Sequence, residues 1–334
     1  MIIKSIKLTN FRNHSSFLLK CEDETSLILG DNGFGKTSVL EAIYILTQGK
    51  SFRATDPDIL KHGTEFYRIE LEYQNGEKTT ATYDGKTKTF HILDQKFKRL
   101  PKKNKYPIVL FLPSDLNLIS HAPSRRRDYF DRIFSEFDEN YSSSLSKYEK
   151  ALKQRNELLK NEATLREDLF SWNLILSKYG TLISNLREEF AKDLNSKLTS
   201  TYRSISKNQD NVDLIYQTEL KSKNESTYLK NLEQNFEKDL IVGHTTFGIH
   251  HDDYLFNFNQ NLANNSASRG ETRSIILALK FIEAELIFQK QNLRPIILLD
   301  DVFSELDSIH RESLTKNFKD NQVIITSVEK VNSK

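Results

Sequence analysis

The spacing of apolar residues changes along the chain, and each change marks an element. Between Met1 and Leu8, Ile3, Ile6 and Leu8 near-alternate with Lys4 and Lys7, as in a half-buried strand. A polar turn, Asn10 to His14, leads to a second strand, Ser15 to Leu19. A short apolar run, Ser26 to Leu29, predicts a third strand, and Val39, Ile43 and Leu46 then share one face of a helix that Gly49 ends. Lys50 to Asp56 is basic and polar and reads as a loop. Three strands are expected from Tyr67 to Leu93, because Asn75-Gly76 and Asp84-Gly85 are hairpin turn dipeptides. Pro107 to Leu112 reads as another strand, followed by a helix from Asp128 to Phe137 that Ser124-Arg125-Arg126-Arg127 opens.

The period then becomes helical for a long stretch, Ser142 to about Lys207, with a break near Asn161 and Glu162. Leu145, Tyr148, Leu152 and Leu159 mark its first half. Trp172, Leu176, Tyr179, Ile183, Leu186 and Phe190 form a heptad stripe in the second, so a helical hairpin is expected. A strand at Asp213 to Gln217 and a helix at Glu225 to Lys238 follow. Further on, Ile275, Leu279, Ile282 and Leu286 lie on one face of a strongly apolar helix. Apolar strands are predicted at Arg294 to Leu299 and Val323 to Ile325.

Between the third strand and its helix stands Gly30-Asp31-Asn32-Gly33-Phe34-Gly35-Lys36-Thr37-Ser38, which fits G-x-x-x-x-G-K-[ST]. Glycines let backbone N–H groups converge on phosphate oxygens, and the helix N-terminus adds partial positive charge. In such a loop Lys36 reaches the β- and γ-phosphates and Thr37 holds Mg²⁺, so ATP and Mg²⁺ are the expected cofactors. The apolar strand before Asp300-Asp301 supplies the second half of the site. Asp300 is expected beside the metal and Asp301 is expected to orient the attacking water. Arg12 either lies over the nucleotide or caps a turn.

Two other constellations carry charge. Lys96, Lys98, Arg99, Lys102, Lys103 and Lys105 can track a phosphate backbone or form a solvated loop, and Arg125 to Arg127 at a helix start call for anionic partners. His250-His251-Asp252-Asp253 invites a metal reading, but neighbouring strand residues point to opposite faces. Composition adds limits. With 334 residues and a net charge of +2, any nucleic-acid contact has to come from local patches. The single cysteine, Cys21, excludes an internal disulfide framework and fits a reducing compartment. Nothing approaches 18 uninterrupted apolar residues and the start offers no apolar signal core, so a cytoplasmic protein without membrane contact is expected.

The chain resembles the RecF family of recombination-repair ATPases, related to the ATPase heads of chromosome-structure proteins and ABC transporters. The resemblance rests on Leu8-Thr9-Asn10-Phe11-Arg12-Asn13-His14, the P-loop, Ala151-Leu152-Lys153-Gln154-Arg155-Asn156, Ser268-Arg269-Gly270, and the run from Leu299 to Asp307. It implies an α/β fold: a P-loop ABC-type ATPase head with an antiparallel β lobe and an inserted helical-hairpin lobe. The divisions expected are 1–140 (P-loop and β meander), 141–240 (helical insertion) and 241–334 (signature and Walker B). It further implies ATP-dependent binding to double-stranded DNA at gap junctions with single strands, slow hydrolysis, and work with RecR and RecO in loading RecA. In heads of this type Ser268 and Gly270 close over the nucleotide of a second copy, giving an ATP-dependent homodimer, although Ser268 can also simply cap its helix. Glu271 departs from the family by standing where Gln is usual, and Ile249 and His251 by standing where Pro and Arg are expected. An energy-coupling transporter ATPase is the alternative reading, but it would lack the helical hairpin and show Leu-Ser-Gly-Gly-Gln, which is absent.

Overall fold

The helix after the P-loop, α1 (Lys36–Gln48), is apolar on more than one face, and every residue from Val39 to Thr47 is buried. A helix of that kind must be covered all round. It packs against strands of two different sheets. The computed structural model describes residues 2–161, 163–220, 224–302 and 308–328. They divide into two compact units, 1–116 with 283–334, and 117–282.

In the first unit, one sheet has six antiparallel strands in the order β2-β1-β4-β5-β6-β7: β1 (Ile3–Phe11), β2 (His14–Lys20), β4 (Tyr67–Tyr73), β5 (Lys78–Tyr83), β6 (Lys88–Ile92) and β7 (Gln95–Phe97). In β4, Tyr67, Ile69, Leu71 and Tyr73 are buried while the residues between them are not, the alternation of a sheet with one covered face. Gly76 and Gly85 take positive φ (84° each) in the two hairpin turns, where a side chain would be strained. β7 is not expected from the pattern. Its turn is built on Leu93 and Asp94, both left-handed (φ 46° and 61°), and leucine gives no turn signal.

The other sheet is parallel, in the order β3-β13-β12-β8, from β3 (Thr25–Leu29), β8 (Ile108–Phe111), β12 (Ile296–Asp300) and β13 (Val323–Ser327). β8, β12 and β13 are buried at every residue, as parallel strands covered on both faces require. Gln322 ties the two sheets together, its amide bonding Ile3 N–H (2.8 Å), Ile3 C=O (2.7 Å) and Glu22 C=O (3.1 Å). Helices α2 (Asp56–Ile59) and α10 (Ser308–Asn317) complete the unit. Residues 303–307, the end of the motif that starts at Leu299, lie outside the described residues.

The second unit contains α3 (Pro123–Phe137), α4 (Glu139–Leu159), α5 (Arg166–Ser206), α6 (Glu225–Gln234), α7 (Phe236–Val242), α8 (Ala263–Ser266) and α9 (Arg269–Gln291), the last counted with the first unit from Glu283 on. α4 and α5 form the expected hairpin. The unit is wider than the 141–240 read from the helical pattern. It also holds an antiparallel sheet, β11-β10-β9, made from β9 (Val212–Gln217), β10 (Asp253–Phe258) and β11 (Asn261–Leu262). α3 packs on β10 and α5 on β9, which draws 117–140 and 241–282 into the same unit.

The heptad stripe on α5 is only partly the buried one. Leu176 and Ile183 are fully buried, but Trp172, Tyr179, Leu186 and Phe190 lie at its flank. Between them the covered face carries Asn173, Ser177, Gly180, Thr181, Ser184 and Arg187. Arg187, 2 % exposed, donates to Asp131 (2.7 Å), the Ile249 carbonyl (2.7 Å), the Tyr141 hydroxyl (3.0 Å) and Asp252 (3.3 Å). Arg155 is buried with Asp239 (2.8 Å), Thr245 and Asn173 (2.7 Å each). Among the described residues no helix is long and apolar enough to cross a membrane.

Candidate functional site

β3 ends at Leu29 and α1 starts at Lys36, with Gly33 (φ 88°) and Gly35 (φ 92°) turning the loop between them through conformations that suit glycine. Lys36 Nζ donates back to the carbonyls of Gly30 (2.6 Å) and Asp31 (3.1 Å), so the ammonium is drawn to the loop, and the residue as a whole is only 7 % exposed. One residue on, the Thr37 hydroxyl lies between both oxygens of Asp300, at 2.7 and 2.9 Å. Thr326 holds the same carboxylate from the other side, at 2.9 Å. This meeting follows from strand order. β13 lies between β3 and β12, so the end of β12 comes up beside the start of α1.

Asp301 follows directly with a left-handed backbone (φ 48°), its N–H donating to the Thr326 hydroxyl (2.8 Å) and carbonyl (3.2 Å). That turn brings Asp301 into the wall of a cavity of about 620 Å³, within the range of small-molecule sites. Asn32, Gly33, Gly35, Lys36, Thr37 and Ser38 line it too, as does Arg12. Gly30, Asp31 and Phe34 do not line it. The first two contribute carbonyls to Lys36, and Phe34 packs edge-on to His14 and Phe17. Thr37 and Asp300 offer hard oxygen donors of the kind Mg²⁺ takes, few enough to leave room for substrate phosphates. Among the described residues no group of three or more His, Cys, Asp or Glu side chains forms a metal cage.

Arg12 lies in the cavity wall, but its guanidinium is already engaged. It forks onto Glu41 at 2.7 and 2.9 Å and reaches the Asp58 carbonyl at 2.9 Å. Arg53 meets the same carboxylate at 2.9 and 3.1 Å, and Ser51 adds a hydroxyl at 2.6 Å. Burial alone would raise the Glu41 pKa. The bonds from Arg12, Arg53 and Ser51 outweigh it and hold the carboxyl below its ordinary 4.5. A depressed carboxyl stabilises the fold fully above pH 4.5 and progressively less as pH falls through its folded value. Acid unfolding of Glu41→Gln should therefore lack the part of the stability loss that begins at about pH 4.5; identical acid curves would contradict this.

Sequence reasoning missed Glu41 and Arg53, although one charge inside a helix otherwise made for burial was the available signal. It also missed the clamp from the β1–β2 turn: Asn13 donates to the Gly33 carbonyl (2.7 Å) and His14 to that of Gly35 (3.1 Å). A Cβ on Gly35 would stand 2.3 Å from Asn13 and 2.4 Å from His14, so this glycine is needed for close approach as well as for its backbone.

Ser268 and Gly270 belong to the second unit, at the start of α9. Ser268 is exposed and shares a reciprocal cap with Glu271: the Ser268 N–H donates to the carboxylate (2.6 Å) and the Glu271 N–H to the hydroxyl (3.3 Å). Glutamate in place of glutamine thus completes a capping box. The arginines that open α3 find part of the anionic partnership they call for inside the protein. Arg126 forks onto Asp253 at 2.7 Å and Arg127 donates to the Asp252 carbonyl at 2.8 Å, leaving Arg125 exposed. Lys96 is on β7 and Lys98, Arg99, Lys102, Lys103 and Lys105 follow it in the chain, all six exposed. His250 and His251 both face the Thr245 carbonyl (3.1 and 3.2 Å), and His250 also bonds Tyr148 (2.8 Å). With Asp252 and Asp253 held by arginines and both imidazoles turned to one backbone carbonyl, the four side chains are engaged by the protein itself, although His251 stays exposed. Burial pushes the His250 pKa down to about 3, so the ring is neutral at ordinary pH.

A family model described as an AAA ATPase domain matches residues 1–332. The DNA replication and repair protein RecF of Ruminiclostridium cellulolyticum is 32% identical over 99% of this chain and 93% of that protein. RecF of Leptospira interrogans is 34% identical over 93% and 87% respectively. A solved structure of the recombination mediator protein RecF with ATP, from the RecFOR pathway, superposes with a TM-score of 0.87 at 28% identity, covering 100% of this chain and 93% of that one. The transporter alternative falls away against matches of this length. The chain belongs to the RecF family of DNA replication and repair ATPases.

Proposed function

We infer that the chain binds ATP with Mg²⁺ at the P-loop and, as an ATP-induced homodimer, binds double-stranded DNA where it meets a single-stranded gap. In the cytoplasm it works with RecR and RecO to load RecA. The observation that carries the nucleotide site is the Thr37–Asp300 contact, two hard oxygen groups beside a phosphate loop from opposite ends of the chain. Thr37 and Asp300 would hold a divalent ion, which would neutralise charge on the terminal phosphates when bound. Lys36 contributes a second positive charge from beneath the loop, and the loop N–H groups bind phosphate oxygens. Asp301 positions the attacking water. Aspartate is one methylene shorter than glutamate, so its reach is poorer and turnover is slow, which suits a timed switch.

One P-loop and one signature per chain require two copies to meet head to tail, Ser268 and Gly270 of each facing the other's γ-phosphate across the α9 N-terminus. The capping box leaves α9 pre-formed for this role. Only ATP, not ADP, then stabilises the dimer. In sedimentation with ATP, Asp301→Asn should remain dimeric and retain nucleotide, while Asp301→Asn combined with Ser268→Arg should stay monomeric. A dimer in the double variant would leave Ser268 as a cap alone, and loss of ATP affinity in Asp301→Asn would make Asp301 a metal ligand.

DNA affinity comes from binding of the phosphate backbone by the exposed cations around β7, where Lys96 lies on the edge strand. Alanine at Lys96, Lys98 and Lys103 should weaken binding to all duplex sequences alike. The slope of log affinity against log salt should fall by about 0.9 for each phosphate that is no longer neutralised. An unchanged slope would exclude this edge. Stimulation of ATP hydrolysis by duplex DNA tests the reading as a whole, and turnover indifferent to DNA would count against it.

A further inference from the structure

Glu41 does more than a buried carboxylate needs. One guanidinium is enough to neutralise it, yet two converge on it: Arg12 from the β1–β2 turn and Arg53 from the loop after α1. Glu41 is itself 0 % exposed, with both oxygens accepting and Ser51 bonded to one of them, so it can neither touch a ligand in the cavity nor act as a base there. The two arginines differ from it in this respect. Both line the cavity, and their side chains keep 23% and 38% of their surface open. An arginine has five N–H donors, and each of these makes three hydrogen bonds among the described residues. Each therefore has N–H capacity to spare, and the cluster of two guanidiniums and one carboxylate has a surplus positive charge. That surplus lies on the wall of a cavity whose floor is a phosphate loop.

Position in the chain explains why the carboxylate is where it is. Glu41 is one helical turn after Thr37, on the same face of α1. It therefore fixes both guanidiniums relative to the first turn of the helix that bears Lys36 and Thr37. A flexible arginine loses rotamer freedom when it grips a phosphate; one already locked by a forked ion pair has lost it in folding.

We propose that Glu41 is a positioning residue that aims Arg12 and Arg53 at the terminal phosphate of the bound nucleotide, so that a carboxylate out of ligand reach sets the preference for triphosphate over diphosphate. This rests on the nucleotide reading of the site. Lys36 and the loop N–H groups account for the phosphates that ATP and ADP share, whereas the Glu41 cluster acts only on the one that differs.

The test is equilibrium titration of wild type and Glu41→Gln with ATP and with ADP, thermal melting checking that the variant is folded. Glutamine keeps the shape but loses the charge and one acceptor. ATP affinity should fall by about tenfold or more while ADP affinity changes by less than about twofold. Glu41→Asp, which restores the charge, should recover part of the difference. Equal losses for both nucleotides, or no loss, would overturn the proposal, since a purely structural role has no means of telling them apart. If Glu41→Gln does not fold, Arg53→Gln, half-exposed and tolerant of change, has to show the same selective loss of ATP. A wild type that binds neither nucleotide would remove the nucleotide reading itself, a result distinct from unselective binding loss in the variant.

Discussion

Lys36→Ala should reduce ATP hydrolysis by about a hundredfold or more, with nucleotide binding lost or nearly so. The reason is electrostatic. Lys36 is buried under the loop with its ammonium held by two backbone carbonyls, so the charge is fixed in place and poorly screened by water. Among the described residues lining the cavity, the other cations are fixed in places of their own and cannot move into the one Lys36 leaves. Arg12 and Arg53 are tied to Glu41, and His14 Nε2 is committed to the Gly35 carbonyl. The variant should still fold, because α1 is held by its apolar positions from Val39 to Leu46. Turnover close to wild type in a folded Lys36→Ala would remove the assignment of the phosphate site.

The second large effect belongs to stability. Arg187→Leu should cost about 3–5 kcal/mol in the unfolding of the second unit, a large share of the 5–15 kcal/mol typical of whole domains. The arginine is 2 % exposed and is the common partner of Asp131 on α3, Asp252 before β10, the Tyr141 hydroxyl on α4 and the Ile249 carbonyl. Leucine fills part of the volume but leaves two carboxylates in a site from which water is largely excluded. Desolvation already raises the Asp252 pKa even with Arg187 present. Urea denaturation followed by a probe in the second unit would measure the loss, and a change below about 1 kcal/mol would show that water reaches these carboxylates.

Whether a residue's role could be read from the sequence depended on how far away its partner was. The P-loop is local, and its glycines, lysine and threonine occupy the places their spacing implies. The place of Asp300 and Asp301 was legible because an apolar run ending in a carboxylate describes the edge of a buried parallel strand. Hairpins closed by Asn75-Gly76 and Asp84-Gly85 were legible for the same local reason, whereas Leu93-Asp94 adopts the same backbone without turn-forming residues. Arg126 misled. Three adjacent arginines look like a surface patch until Asp253, 127 residues on, is known to face the middle one. β10 was hidden in a run whose His and Asp residues drew attention to metal chemistry, although Tyr254, Phe256 and Phe258 alternate inward as a strand's residues do. Glu41 shows the same limit inside the site. Its identity could be read, but its two partners come from segments whose approach only the sheet determines.

The order of strands in the parallel sheet also governs events during synthesis. β3 carries the P-loop but has its neighbour in β13, and β12 lies beyond that. A ribosome must therefore make residues 323–327 before the phosphate loop gains the strand that supports it. By then the second unit, residues 117–282, has long been complete and free to fold by its own contacts. For most of translation the nascent chain thus carries an unpaired strand at Thr25–Leu29 and an α1 covered by the antiparallel sheet alone, with the closure of a very long loop still to come. A product broken off before β13 would keep the whole P-loop sequence yet lack the strand that places it, so nucleotide binding would report on synthesis through β13 rather than on the motif alone.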